Sequence, residues 1–321
     1  MRRALITGIS GQDGTYLAEL LLDRGYAVTG MVRAPTGTAT ALPVGVRDRV
    51  ALVEGDLRAP ETLSAAVRES APDELYHLAA PTFVPESWEN PRGVHEAIAG
   101  ATAEILTAAR RLDRDVRVFV ASSSEIFGDA GEAPQHERSP MRPRTPYGVA
   151  KLAAHGLVGT LRERFGLFAV SGITYNHESP RRPERFLPRK VTRGAAAIAT
   201  GRQDELVLGD LDAVRDWSHA ADIVRGAWLS LQAGAPRDYV FASGRGRTVR
   251  ELVDAAFAAA GISPEGRIRI DPRFVRPPER TPPVGDPSRA RHHLGWEPEI
   301  GFEDMVAEMV RADLAELGAA S

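Results

Sequence analysis

The chain has 321 residues, of which 43% are hydrophobic and 26% are charged, a balance typical of a folded globular protein and not of a disordered or fibrous chain. Its 40 basic and 43 acidic residues leave a formal net charge of −3, which gives no electrostatic reason to expect a nucleic acid or an anionic membrane surface as partner. The sequence contains no cysteine, which excludes disulfide bonds, thiolate zinc sites and a cysteine nucleophile.

The apolar stretch that follows Arg2 and Arg3 is too short for the hydrophobic region of a signal peptide. The sequence also contains no run of ~18 apolar residues that could span a membrane. We therefore expect a cytoplasmic protein, and the length predicts roughly two domains.

The first half alternates short β-branched runs with amphipathic helical stretches. The predicted strands are Arg3–Thr7, Ala27–Val32, Val50–Glu54, Glu74–Leu78, Val116–Ala121 and an apolar run over Leu167–Ile173, and the predicted helices are Asp13–Arg24, Glu61–Glu69, His95–Leu112 and Pro146–Arg164. Strands separated by helices form βαβ units, so we predict an α/β fold with a doubly wound parallel sheet of the Rossmann type. This domain should cover residues 1–174 and receive segments near 210–242.

The second half is richer in proline and arginine. Glu178–Pro188 and Asp271–Pro287 contain too many prolines for long helices, and we predict ordered loops that carry binding residues. Helices are predicted over Ala220–Gln232, Thr248–Ala260 and Phe302–Leu317. Residues 175–321 should thus form mainly a smaller α/β domain that binds the substrate.

A glycine-rich turn joins the first strand to the first helix, with Gly8, Gly11 and Gly14 spaced three residues apart around Gln12 and Asp13. Glycines at such a turn let backbone amides approach a pyrophosphate at the positive end of the helix. A tight turn without a ligand uses the same residues, but the strand–turn–helix context favours a bound dinucleotide.

The ends of the next strands indicate which dinucleotide this is. The second strand ends at Arg33 with no acidic residue nearby, which favours NADP over NAD, although a solvent-exposed arginine explains the same residue. Asp56 and Leu57 follow the third strand and could contact the adenine. Leu78, Ala79 and Ala80 follow the fourth strand and offer small side chains beside the cofactor.

Tyr147 and Lys151 lie four residues apart on one face of a predicted helix. The ammonium group should lower the pKa of the phenol, so that Tyr147 could act as a base, and the same lysine could hold the nicotinamide ribose. Only two lysines occur in the chain against 38 arginines, which favours a functional role for Lys151. Upstream, Ser123 and Glu125 follow the end of a predicted strand, where α/β proteins bind ligands.

The glycine turn with Ser123, Tyr147 and Lys151 resembles the extended short-chain dehydrogenase/reductase superfamily. Longer stretches resemble the GDP-mannose 4,6-dehydratase family over nearly the whole chain. The matching stretches are Gly11-Gln12-Asp13-Gly14, Pro146-Tyr147-Gly148-Val149-Ala150-Lys151-Leu152, Asn176-His177-Glu178-Ser179-Pro180-Arg181-Arg182, Arg215-Asp216-Trp217 and Gly285-Asp286-Pro287.

The resemblance implies an internal redox cycle in which NADP takes a hydride from C4 of the sugar and returns it to C6. Tyr147 would remove the C4 hydroxyl proton, Ser123 would polarise that oxygen, and Glu125 would abstract the C5 proton as water leaves. The substrate would be GDP-mannose or a related GDP-sugar. The resemblance assigns sugar-nucleotide binding to Ser87, Ser124, Asn176, Arg189, Lys190, Arg215, Arg276 and Glu279. It also implies a homodimer or a tetramer. No motif in the sequence has the spacing of metal ligands, so we expect no metal site.

Alternatives remain open at this stage. Pro81-Thr82-Phe83-Val84 stands where these enzymes typically have Gln-Ser-His-Val, which admits another hexose or a heptose. A nucleotide-sugar 4-reductase or epimerase would use half of the same cycle, and a non-catalytic NADP-binding regulator could share the fold.

Overall fold

The computed structural model describes residues 1–34, 42–275 and 280–319. Seven strands form a parallel sheet in the order β3-β2-β1-β4-β5-β6-β10. These strands are β1 (Arg3–Thr7), β2 (Ala27–Val32), β3 (Val50–Glu54), β4 (Glu74–His77), β5 (Arg117–Ala121), β6 (Phe168–Thr174) and β10 (Tyr239–Phe241). The strand order reverses between β1 and β4, which is where doubly wound sheets bind ligands.

Helices cover both faces of this sheet, as the doubly wound prediction requires. They are α1 (Gln12–Asp23), α2 (Val44–Arg47), α3 (Pro60–Ser70), α4 (Glu86–Glu89), α5 (Pro91–His95), α6 (Ala101–Arg110), α7 (Pro146–Phe165) and α9 (Ala220–Gln232). Successive side chains of β1 point to opposite faces, so Ile6 packs in the core with α1 and α9 while Leu5 packs in the core with α3, α6 and α7.

The single helix predicted over His95–Leu112 is wrong in two respects. The helical run starts earlier, at Pro91, where Asn90 caps it by accepting a hydrogen bond from the Gly93 amide at 2.9 Å. It is then interrupted by a π-helical turn over Glu96–Gly100, which separates α5 from α6. Such turns are inserted into helices near functional sites, and this one places Ala97 at the wall of the cleft described below.

The second half forms a smaller unit beside the sheet. Its elements are β7 (Asn176–Glu178), α8 (Leu187–Ala199), β8 (Leu206–Leu208), β9 (Val214–His219), β11 (Gly246–Thr248), α10 (Val249–Ala259), β12 (Ile268–Ile270), α11 (Ser288–Leu294) and α12 (Phe302–Ala319). β9 pairs in parallel with β7 and antiparallel with β11, while β8 and β12 form a separate parallel pair. α8, α10 and α12 share one core, which contains Val191, Phe257 and Met309.

The chain returns to the large sheet before it ends, since β10 pairs with β6 and α9 packs in the core beside α1. The loop predicted over Glu178–Pro188 is shorter than expected because α8 already begins at Leu187.

Within the described ranges, every helix is too short or too polar to cross a membrane, and no group of three metal-ligating side chains comes together.

Candidate active site

The glycine turn is built from close backbone approaches that leave no room for side chains. Gly8 has a φ of +73°, and the Gly11 amide donates a hydrogen bond to the Gly8 carbonyl at 3.0 Å. A Cβ atom on Gly14 would lie 2.2 Å from that same carbonyl oxygen. Because Gly8, Gly11 and Gly14 carry no side chains, the free amides at the start of α1 can approach a phosphate directly.

A cleft of about 720 Å³ opens at the switch point between β1 and β4. All of the predicted cofactor residues at the strand ends line it: Gly8, Gly11, Gln12, Asp13, Gly14, Arg33, Asp56, Leu57, Leu78, Ala79 and Ala80. The bare glycine cradle and the volume both fit a dinucleotide. The sequence analysis missed several further lining residues, among them Arg58, Ala97, Arg182, Arg185 and Phe186.

A hydroxyl at the end of β1 holds the segment after β4 in place. Thr7 Oγ1 accepts hydrogen bonds from the Leu78 and Ala79 amides, both at 3.1 Å, and lies 2.9 Å from Nδ1 of His77. Since Oγ1 is the acceptor for two amides, its own proton is donated to the imidazole. Burial, reinforced by the Lys151 ammonium group, lowers the pKa of His77 to about 3, so the ring is neutral and can accept that proton.

Lys151 is buried, and its Nζ donates a hydrogen bond of 2.6 Å to the Ala121 carbonyl at the end of β5. Burial lowers the pKa of Lys151 to about 8. Tyr147 is also buried, with 7% of its surface exposed, and its ring centroid lies 5.8 Å from Nζ. The prediction that the phenol has a lowered pKa is wrong for this structure, because burial raises the pKa of Tyr147 and the nearby Ser123 and Arg182 only partly oppose that effect.

Ser123 and Glu125 meet Tyr147 where β5 ends. Ser123 caps a short 3-10 turn by accepting a hydrogen bond from the Glu125 amide at 3.3 Å, and its hydroxyl also interacts with the Tyr147 phenol. Glu125 Oε2 accepts a hydrogen bond of 3.2 Å from Thr145, which caps the first turn of α7. Thr145 thus connects the carboxylate to the helix that carries Tyr147, a contact that the sequence analysis missed.

The segment after β6 is joined to α1 by ionic and polar contacts. His177 places Nδ1 2.7 Å from the Tyr175 carbonyl and Nε2 2.9 Å from the Asp13 carboxylate. Both neighbours are acceptors, so both ring nitrogens carry protons in this geometry. Burial opposes this charge, but the Asp13 carboxylate raises the pKa of His177, and His177 in turn holds the pKa of Asp13 below its ordinary value against the effect of burial.

The neighbouring side chains continue these contacts. Gln12 accepts a hydrogen bond from the Ser179 hydroxyl at 2.8 Å, and the Arg181 guanidinium donates two bonds to Glu19 on α1. Arg182 pairs at 3.1 Å with Glu178, whose carboxylate is fully buried. The motif over residues 176–182 indicated in the sequence that this segment is functional, but it did not reveal which of its residues face the cleft.

Two of the predicted substrate-binding residues, Arg189 and Ser87, make contacts within the protein, and their assignment stays a prediction. Arg189 is 5% exposed and pairs at 2.9 Å with the buried Asp313 of α12, because its position on α8 turns it toward that helix. Ser87 is 1% exposed and donates its hydroxyl to the Val84 carbonyl at 2.6 Å, so it does not line the cleft.

The other substrate-binding assignments stay predictions. Asn176 and Arg215 are half-buried on the neighbouring strands β7 and β9, and Ser124 is half-buried in the turn beside Glu125. Lys190 is half-buried with Nζ 4.9 Å from the Phe274 ring centroid. Arg276 and Glu279 lie outside the described residues.

The parallel sheet has a glycine cradle after β1 and a serine after β5, and the first turns of α7 carry a tyrosine and a lysine. This combination defines a short-chain dehydrogenase/reductase. Residues 5–309 match the family model for GDP-mannose 4,6 dehydratase, and the chain belongs to that family.

Named relatives and solved structures agree with this assignment. The chain is 42% identical to GDP-mannose 4,6-dehydratase of Yersinia enterocolitica, over 98% of this chain and 95% of that protein, and 42% identical to the enzyme of the same name from Sinorhizobium fredii, over 98% and 97%. Among solved structures it resembles RMD from Pseudomonas aeruginosa complexed with NADPH, with a TM-score of 0.83 and 25% identity over 98% of this chain and 100% of the other. It also resembles UDP-glucose 4-epimerase from Thermus thermophilus in complex with NAD, with a TM-score of 0.82 and 27% identity over 97% and 98%.

Proposed function

We propose that this chain is a carbon–oxygen lyase that converts GDP-mannose to GDP-4-keto-6-deoxymannose. The observation that carries the proposal is the meeting of Ser123, Glu125 and Tyr147 beside Lys151, next to a cleft that fits a dinucleotide. A carboxylate additional to the serine, tyrosine and lysine distinguishes elimination from simple oxidation, because an acidified C–H bond needs a base of its own.

A nicotinamide cofactor, held by the glycine turn and Lys151, would supply the acceptor for the C4 hydride of the sugar and the donor that returns this hydride to C6. Tyr147 takes the C4 hydroxyl proton as a phenolate, whose formation the positive charge of a bound nicotinamide would favour against the effect of burial. Ser123 donates a hydrogen bond to the same oxygen as it becomes a carbonyl. The carbonyl acidifies C5–H, so Glu125 removes that proton as an acid–base group and transfers it to the C6 hydroxyl, which leaves as water. A proton equivalent to the one taken from the C4 hydroxyl then returns to C5, so the product differs from the substrate by one water.

NADP is the proposed cofactor. Arg33, at the end of β2, and Arg58, after β3, both line the cleft. The positive charges of both arginines contribute to lowering the pKa of the nearby Asp56 carboxyl group. Two guanidinium groups at this end of the cleft suit a ribose 2′-phosphate, and β2 ends without the acidic residue that favours a free 2′-hydroxyl.

The remaining assignments concern the partners and the surroundings of the enzyme. The residues after 174 would bind the GDP-sugar, with Asn176, Lys190 and Arg215 as the proposed contacts. We also propose a cytoplasmic location and a homodimer, in which the exposed apolar side chain of Val149 on α7 would be covered by a second copy.

Mass spectrometry of GDP-mannose incubated with the protein and NADP⁺ tests this function. The expected product is lighter by one water, with no net formation of NADPH. Unchanged GDP-mannose would refute the substrate assignment, and conversion of a GDP-heptose instead would identify another 4,6-dehydratase.

The Glu125→Gln variant tests the division of roles. Thr145 can donate its hydrogen bond to the amide oxygen as it does to the carboxylate, so the fold is expected to be unchanged. Cofactor reduction by the sugar should persist while dehydration falls by about 10²- to 10⁴-fold. Glu163→Gln, at an exposed position of α7, is the matched control, and full dehydration by Glu125→Gln would assign the C5 proton to another group.

A further inference from the structure

Four side chains join two separate segments at the wall of the cofactor cleft. Phe83, after β4, meets Phe186, before α8, edge to face with ring centroids 5.6 Å apart. The Arg185 guanidinium lies over both rings, 4.9 Å from the Phe83 centroid and 5.6 Å from the Phe186 centroid. Arg185 also donates a hydrogen bond of 2.8 Å to Glu86. We call Phe83, Glu86, Arg185 and Phe186 the loop clasp.

The loop clasp belongs to the cleft and not to a distant surface. Glu86, Arg185 and Phe186 line the same cleft as the glycine turn. The aromatic contact and the ion pair bridge the same two segments independently. Phe83 is half-buried, whereas Glu86 and Arg185 are exposed, so the contact is accessible to solvent and its loss does not open the core.

The clasp also fixes a cation at the cleft wall. The Arg182 guanidinium lies 3.7 Å from the Phe186 ring centroid and pairs with the buried Glu178 at 3.1 Å. Arg182 lines the cleft together with Asp13, and its charge lowers the pKa of both Asp13 and Tyr147, so it lies near both groups. A cation held there by stacking and by an ion pair is suited to a dinucleotide phosphate.

We propose that the loop clasp retains the dinucleotide in its cleft between the two hydride transfers. The inference rests on the proposed function, since an internal redox cycle needs the same cofactor molecule to give back the hydride that it accepted. Phe83, Glu86 and Arg185 are positioning residues in this scheme: they join the two cleft walls and hold Phe186 against Arg182.

The dissociation rate of NADPH tests the proposal without any sugar present. The protein is loaded with NADPH, mixed with excess NADP⁺, and followed by the fluorescence of the bound reduced cofactor. Phe83→Ala should dissociate about tenfold faster, because it loses the aromatic pair and one cation–π contact. Phe83→Tyr keeps the ring and should restore slow dissociation.

The ion pair supplies a second pair of variants with a matched control. Glu86→Gln should accelerate dissociation a few-fold, as expected for an exposed ion pair. Glu205→Gln breaks a similarly exposed pair, with Arg269 at 2.8 Å, whose two residues do not line this cleft, and it should leave the rate unchanged. During turnover of GDP-mannose, Phe83→Ala should also release NADPH into solution.

Dissociation from Phe83→Ala within twofold of the unaltered chain would overturn the proposal. Equal acceleration by Glu86→Gln and Glu205→Gln would overturn it as well, since surface charge alone would then explain the effect. If Phe83→Ala does not fold, the two glutamate variants decide the question. If the unaltered protein releases NADPH slowly but does not convert GDP-mannose, the proposed function is refuted. The proposal that the loop clasp retains the dinucleotide is not refuted by that result.

Discussion

Replacing Lys151 with methionine is expected to stabilise the folded chain at neutral pH and to abolish its activity. The buried ammonium group has a pKa of about 8, against 10.5 for an ordinary lysine. At roughly 1.4 kcal/mol per tenfold change in proton affinity, keeping this group charged costs the folded state about 3 kcal/mol at neutral pH. Methionine loses the hydrogen bond to the Ala121 carbonyl, worth ~1–2 kcal/mol, so the net gain should be about 1–2 kcal/mol.

The pH dependence gives a sharper test than the stability at one pH. Between pH 8 and 10.5 the unfolded chain keeps the lysine proton while the folded chain has released it, so the stability of the unaltered protein rises with pH. Relative to Lys151→Met, its free energy of unfolding should increase by about 2–3 kcal/mol from pH 7 to pH 10.

Urea unfolding of both proteins at a series of pH values measures this difference. Lys190→Met, which replaces the other lysine of the chain, is the control. If both variants change the free energy of unfolding equally, the change comes from the loss of an ammonium group in general and not from the burial of Lys151. A difference between the unaltered chain and Lys151→Met that stays constant from pH 7 to pH 10 would refute the reasoning. Dehydration by Lys151→Met should fall at least about 100-fold, in keeping with a role at the reacting groups.

Two further substitutions test the cofactor cleft. Gly14→Ala should abolish NADPH binding and lower the free energy of unfolding by about 1–3 kcal/mol, because the new Cβ atom would lie 2.2 Å from a backbone oxygen. Gly156→Ala is the control: this glycine is exposed on α7 with open space around it, so the substitution should raise the free energy of unfolding by about 0.5–1 kcal/mol. Equal urea midpoints for the two variants would contradict both expectations. Arg33→Ala should raise the Kd for NADP about tenfold or more while leaving the Kd for NAD unchanged, as measured by fluorescence titration, and an equal loss for both cofactors would argue against a 2′-phosphate contact.

Local sequence patterns predicted the first three strands to the residue. β1, for example, is an apolar run that ends where Gly8 adopts a positive φ, so both the strand and its boundary are encoded within a few residues. The cofactor cleft was predictable for the same reason, since parallel strands bring their carboxyl ends to one edge of the sheet. Tyr147 and Lys151 share one buried helix face because their spacing requires it.

Contacts between distant parts of the chain were not predictable. Arg189 was assigned to the substrate because of its neighbours in sequence, whereas its partner Asp313 comes from the last helix. The helix that carries Arg189 was missed because Pro188 suggested a loop, although proline in a first helical turn costs no hydrogen bond. The raised pKa of Tyr147 depends on how deeply the finished fold buries the ring, which spacing does not determine.

Three ion pairs of the second half use arginine as the cation: Arg181 with Glu19 of α1, Arg182 with Glu178, and Arg189 with Asp313. Guanidinium groups keep their charge throughout the alkaline range in which an amine titrates. The pair between Arg181 and Glu19, which joins the second half to α1, is thus insensitive to alkaline pH, whereas the ionic contact of His177 with Asp13 is lost when the imidazole releases its proton. An alkaline decline in dehydration would accordingly report on titrating groups such as His177 and Lys151, while Arg181 keeps the second half joined to α1.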